Sequence, residues 1–153
     1  MSKLAVAIDH TPDVQGKALA GIGAIKGEFR CKIVVPNTWA LSCSLDIDSA
    51  VKTLYPNANR WDYAVEYNDE VFFLEFHPAE TSSVSIMLKK LEWLKMWLKE
   101  KAPEINALKS KTHNPYCWIG SGSFNIIKTS SQYRKLAAAG MLPKTQWNYS
   151  TLK

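Results

Sequence analysis

The sequence predicts an α/β domain, a mixed β-sheet covered by helices. Three observations predict it. Two strand-like runs, RWDYAVEY (60–67) and EVFFLEFH (70–77), stand two residues apart. A long amphipathic run follows them from about Ser82 to Lys101. A further strand-like run, YCWIG (116–120), and a helical segment from about Ser130 to Ala139 come after that. A hairpin, a long helix and a returning strand is the order of a layered mixed sheet.

The elements follow in chain order. Thr11-Pro12-Asp13 reads as a helix start, with a capping hydroxyl, a proline suited to the first helical position and an acid at the positive end. That helix is expected to reach about Lys26, weakened by Gly16, Gly21 and Gly23. FRCKIVVP (29–36) reads as a strand stopped by Pro36. The segment 37–56 is ambiguous, with a short helix expected over 48–55.

Asn68 and Asp69 between the two strands predict a tight hairpin turn. His77 is followed by Pro78, which lacks an N–H and is expected to stop the strand. In the long helix, Val84, Met87, Leu88, Leu91, Leu94 and Leu98 recur at three- and four-residue steps, with Trp93 and Trp97 widening the stripe. Its lysines and glutamates, Lys89 and Lys90 included, are assigned to the other face. YCWIG is extended or followed by FNIIK after a GSGS bend at 120–123, Gly140 and Pro143 end the last helix, and TQWNYS adds a last strand. No repeat or linker divides the chain, so residues 1–153 are expected to form one domain.

Composition narrows the function classes. The chain has 153 residues, 46% of them hydrophobic, and a formal net charge of +5. That charge is compatible with a nucleic-acid partner. Arginine is scarce, with only Arg30, Arg60 and Arg134. Cys31, Cys43 and Cys117 are odd in number and widely spaced, which fits neither a disulfide framework nor a Cys-x-x-Cys zinc site. The start MSKLAVAIDH has no signal-like apolar core, and no apolar run is long enough to span a membrane. The expectation is a cytoplasmic protein with no membrane contact. GSGS lacks the spacing of a phosphate-binding loop, and Ser121, Ser123 and His113 form no recognisable triad. The basic run KSKTH (109–113) reads as a solvated loop that could meet a phosphate backbone, and Trp118 and Trp147 as core residues.

The chemistry-bearing feature is LEFHPAE (74–80), where Glu75 and His77 interrupt an apolar strand. A two-residue turn at 68–69 makes Tyr67 face Glu70 and Ala64 face Phe73, and so puts Asp62 opposite Glu75. Directly paired residues have Cβ atoms roughly 5 Å apart. Two ionised carboxylates at that range repel unless one is protonated or a cation lies between them. Two readings fit: a site for a hard divalent ion, or a solvated sheet face. His77 is read as a surface histidine, a ligand, or a group that orients water or accepts a proton.

With Asp62 on the first hairpin strand, Glu75-x-His77 on the second and a helix next, the arrangement resembles the PD-(D/E)xK nuclease superfamily, the restriction-endonuclease-like fold. The resemblance covers roughly residues 12–120. It implies a core of helix, three strands, helix and strand, with FRCKIVVP as its first strand and YCWIG as its fourth. It implies metal-dependent phosphodiester hydrolysis, with Asp62 and Glu75 holding Mg²⁺ or Mn²⁺ and His77 standing where the family usually carries lysine. In some members a lysine from the following helix supplies that charge, for which Lys89 and Lys90 are available. Glu28 matches the place of an auxiliary acid. The implied partner is nucleic acid, DNA rather than RNA, with weak sequence specificity or targeting by a protein partner or a second copy. The alternative is a nuclease-fold protein that has lost its active site and acts as a binding accessory.

Overall fold

The computed structural model describes residues 2–152, without the side chain of Ser123. The chain opens with α1 (Lys3–Asp9), which the sequence reading missed. Its single apolar stripe of Leu4, Ala7 and Ile8 is too short to show a period, and Ser2 caps it by accepting the Ala5 N–H at 3.0 Å.

The helix expected from Thr11 to Lys26 does not form. Pro12–Val14 makes one 3-10 turn, and Thr11 spends its hydroxyl on Ala7 O at 2.7 Å instead of capping. Gly16 (φ 77°) and Gly21 (φ 56°) then turn the backbone left-handed, which no helix tolerates. Between them lies the short strand β1 (Leu19–Ala20). One helical turn, α2 (Gly27–Arg30), precedes β2 (Ile33–Val34).

FRCKIVVP is therefore not the first core strand. Only Ile33 and Val34 are extended, and they pair in parallel with the C-terminal β7 (Trp147–Asn148), outside the main sheet. The core position falls to β3 (Leu41–Asp46), inside the segment left ambiguous. β3 leads into α3 (Ile47–Val51), capped by Asp46, whose Oδ1 accepts the Ser49 N–H at 2.9 Å.

The hairpin forms as predicted. β4 (Tyr63–Tyr67) and β5 (Glu70–Glu80) pair with Tyr67 facing Glu70, Ala64 facing Phe73 and Tyr63 facing Leu74. Asn68 (φ 51°) and Asp69 (φ 65°) both adopt the left-handed conformation that this turn demands. Pro78 does not stop β5. Opposite it, the partner strand β6 (Tyr116–Asn125) bulges: His77 faces Gly120 and Ala79 faces Phe124, so 121–123 lie against the one residue that cannot donate to a ladder. GSGS is thus a bulge within a strand, not a break after one.

β5 and β6 are parallel, and α4 (Val84–Glu100) with α5 (Pro103–Leu108) carries the crossover between them. α6 (Ser131–Ala138) follows, capped by Ser130 through the Tyr133 N–H at 3.1 Å. The main sheet has the order β1-β3-β4-β5-β6, antiparallel except for the last pair. The architecture is a mixed sheet with helices against it. Residues 71, 73 and 79 of β5 face one core with α1, α4 and α6. Phe72, Leu74 and Phe76 face a second core closed by Ile25, Phe29, Trp147 and Tyr149. Among the described residues no helix is long and apolar enough to cross a membrane.

Candidate active site

Asp62 lies one step beyond the last β4–β5 pair, opposite Glu75. The β4–β5 ladder ends there, and the Asp62 carbonyl accepts the Ile47 N–H at 2.8 Å at the start of α3. The side chains take over. The Asp62 N–H donates to Glu75 Oε1 at 3.0 Å, and the Phe76 N–H donates to Asp62 Oδ2 at 3.1 Å. Each strand thus satisfies a backbone donor with a carboxylate from its neighbour, which fixes both carboxylates where the strands part.

Glu75 is buried, at 1% exposure, on the face that looks toward α4. From α4 comes Lys90, whose Nζ lies 2.7 Å from Glu75 Oε2. Lys90 stands three residues after Met87 and four before Leu94, both buried, so it belongs to the inner stripe of the helix. Lys90 thus lies on the inner face and not the outer one expected from its charge, and its spacing carries the sign: it interrupts the apolar stripe, whereas Lys89 is exposed.

Burial pushes the carboxyl of Asp62 up from its ordinary value, against the pull of Lys90 and the Phe76 N–H. Glu75 is pushed well up, first by burial and then by the charge of Asp62, with Lys90 opposing both. The pair therefore holds protons more tightly than free carboxylates do, and a cation placed against it would release them.

His77, two residues on from Glu75 along β5, is half-buried. Its Nδ1 lies 3.0 Å from Pro78 O, and its ring meets Trp118 edge-on at 6.4 Å, so it is not hydrogen-bonded to either carboxylate. Glu28, on α2, is exposed and lies 3.9 Å from Lys26 Nζ in a surface pair. Asp48 neighbours the site and is held by Arg60 Nε at 2.7 Å.

Other polar and aromatic groups have structural roles. Glu66 is fully buried at the far end of β4, where Oε1 accepts from Ser42 Oγ at 2.8 Å and from Ser2 Oγ. KSKTH is pinned by Glu70, which accepts from Ser110 Oγ at 3.0 Å and Thr112 Oγ1 at 2.9 Å. Trp118 and Trp147 are buried.

Among the described residues no cluster of three or more His, Cys, Asp or Glu side chains is placed to ligate an ion. Two carboxylates suit Mg²⁺, which keeps several waters and takes one or two protein carboxylates. They do not suit a metal that demands a full protein cage. Asp62 Oδ1 lies outside the backbone hydrogen bonds, while both Glu75 oxygens already have donors. Compared with known families, curated proteins and solved structures, the chain gives no match.

Proposed function

We propose that this chain is a small nuclease of PD-(D/E)xK type, with Asp62 and Glu75 as its acidic pair and Lys90 in the place that lysine usually takes on the strand. The observation that carries the reading is the 2.7 Å contact of Lys90 Nζ with Glu75 Oε2, opposite Asp62. The element order supports it: α1, β3, β4, β5, α4 and β6 run helix, three strands, helix, strand.

Asp62 and Glu75 would hold Mg²⁺ or Mn²⁺, which when bound supplies Lewis-acid polarisation of a phosphodiester and a more acidic water. The chain's own residues do the rest. The two backbone N–H groups hold the carboxylates side by side. Lys90 contributes positive charge beside them, where it favours a phosphate and the charge that grows on it. His77, half-buried on the same strand as Glu75, would present Nε2 to substrate or water when Nδ1 donates to Pro78 O. The net charge of +5 favours nucleic acid as the substrate, DNA being the first to test.

The test is cleavage of single-stranded, duplex and supercoiled DNA with Mg²⁺ or Mn²⁺. Asp62→Asn, Glu75→Gln and Lys90→Met should each lower the rate at least about 100-fold. His77→Ala should lower it less. Cleavage that survives all three substitutions would sink the assignment.

One observation favours a second reading. Both Glu75 oxygens are engaged by the protein's own donors, as in a self-contained ionic cluster. On that reading the chain is a nuclease-fold binding module. Calorimetry decides: the second reading requires that Mn²⁺ not bind the wild type, and that a protein or nucleic-acid complex form without it.

A further inference from the structure

The charged residues are unevenly placed along the chain. All 14 Asp and Glu lie before residue 105, whereas residues 105–153 carry seven Lys and Arg and no acid. That last part of the chain includes β6, α6 and β7. Such an asymmetry points to a polyanionic partner for one part of the surface.

One face of α6 presents part of that charge. Ser131, Arg134, Lys135 and Ala138 stand at steps of three, four and seven residues from the first, and all are exposed. Leu136, on the opposite side, is fully buried. Lys128 lies beside the helix, because one groove is lined by Lys128 and Tyr133 together with Leu142 and Pro143. The same groove brings in the segment that leads to the exposed Lys144. Lys26, Arg60 and Lys90 each meet an acid. Lys128, Arg134, Lys135 and Lys144 enter no ion pair among the described residues. Glu80, opposite Asn125 in the β5–β6 pairing, is the acid that borders this region.

Cations without acidic partners gain by meeting phosphates and releasing their counterions. The outer face of α6 has no large apolar residue to enter a bilayer and no aromatic ring on which an unpaired base could stack. An α-helix with its side chains is about 10–12 Å across, which the major groove of duplex DNA, about 12 Å wide, admits. We infer that the outer face of α6, with Lys128 and Lys144 beside it, binds the phosphate backbone of duplex DNA. The inference rests on nucleic acid as the partner in the proposed function, and not on cleavage. The exposed apolar residues Phe124, Ile127 and Leu142 belong to the flanking segments, and vesicles test whether they decide the partner instead.

The test is fluorescence anisotropy of a labelled DNA duplex in EDTA, where binding is read without cleavage. Four phosphate contacts predict an affinity that falls roughly 100-fold between about 50 and 200 mM salt. Arg134→Gln/Lys135→Gln should weaken binding at least about tenfold at about 100 mM salt and lower the salt slope by about 2. Lys99→Gln/Lys101→Gln removes the same charge from exposed residues at the end of α4, and should weaken binding less than about twofold. Equal losses in the two double variants overturn the inference. So does tighter binding of the single strand, of phosphatidylserine vesicles or of polyglutamate than of the duplex at equal charge. A wild type at about 100 μM that leaves the duplex free at about 50 mM salt overturns it too. Binding through α6 without cleavage in Mg²⁺ would remove the nuclease reading and leave this one standing.

Discussion

Glu75 is the residue on which the rest of the site turns. Its carboxyl is held well above its ordinary range by burial and by Asp62, and Asp62 is raised by burial too. The sign follows from linkage. Acids whose pKa is raised by folding stabilise the fold fully below their unfolded pKa, and that contribution is lost as pH rises through the raised folded value. In chelator, the midpoint of urea unfolding should therefore fall as pH climbs from the ordinary carboxylate range, and the double variant Asp62→Asn/Glu75→Gln should flatten that fall. On the proposed reading a cation would bind the ionised pair, so Mn²⁺ affinity should rise over the same span. Calorimetry in buffers of different ionisation enthalpy should then detect protons released on binding. Affinity that is independent of pH would contradict the coupling.

At the scale of elements, the hairpin was the most legible part of the sequence. A two-residue turn fixes a register and a strand has period two, so Asp62 opposite Glu75 could be read from letters alone. The turn also yields a prediction. Asp69 holds φ 65°, which a glycine adopts without strain. Asp69→Gly should gain about 0.5 kcal/mol, and Asp69→Val should lose more than about 1 kcal/mol, in equilibrium unfolding. The first third of the chain was misread for an equally local reason. Thr11-Pro12-Asp13 is a good helix start, but a start carries no information about length, and the positive φ of Gly16 ends the helix after one turn. β3 was missed because LSCSLD has few β-formers. Its strand state comes from pairing with β4, a contact no local pattern reports. Lys90 was legible as a break in the stripe of α4, yet its meaning needed the partner on β5.

Across the whole molecule, α4 is where distant parts of the chain are tied together. Asp13 Oδ2 accepts both the Trp97 Nε1–H at 3.0 Å and the Tyr55 hydroxyl at 2.6 Å, joining the loop after α1, the loop after α3 and the far end of the long helix. Burial and that carboxylate push the Tyr55 phenol up to about 12. Asp13→Ala would leave the indole donor of Trp97, itself 1% exposed, without a partner. The expected loss is about 2 kcal/mol in denaturant melts, whereas Asp13→Asn should retain part of it.

The same helix delivers Lys90 to a carboxylate that β4 and β5 hold in place. The ammonium and the acids thus reach their meeting point by separate routes. An α-helix turns about 100° per residue. Deleting one residue between Ser85 and Lys89 would leave every side chain named at the site in the sequence and swing the lysine away from Glu75. Moving the charge onto the strand, as His77→Lys with Lys90→Met, would make the site indifferent to that deletion. Its charge is a matter of phase, set by how far the helix has wound before it passes over the sheet.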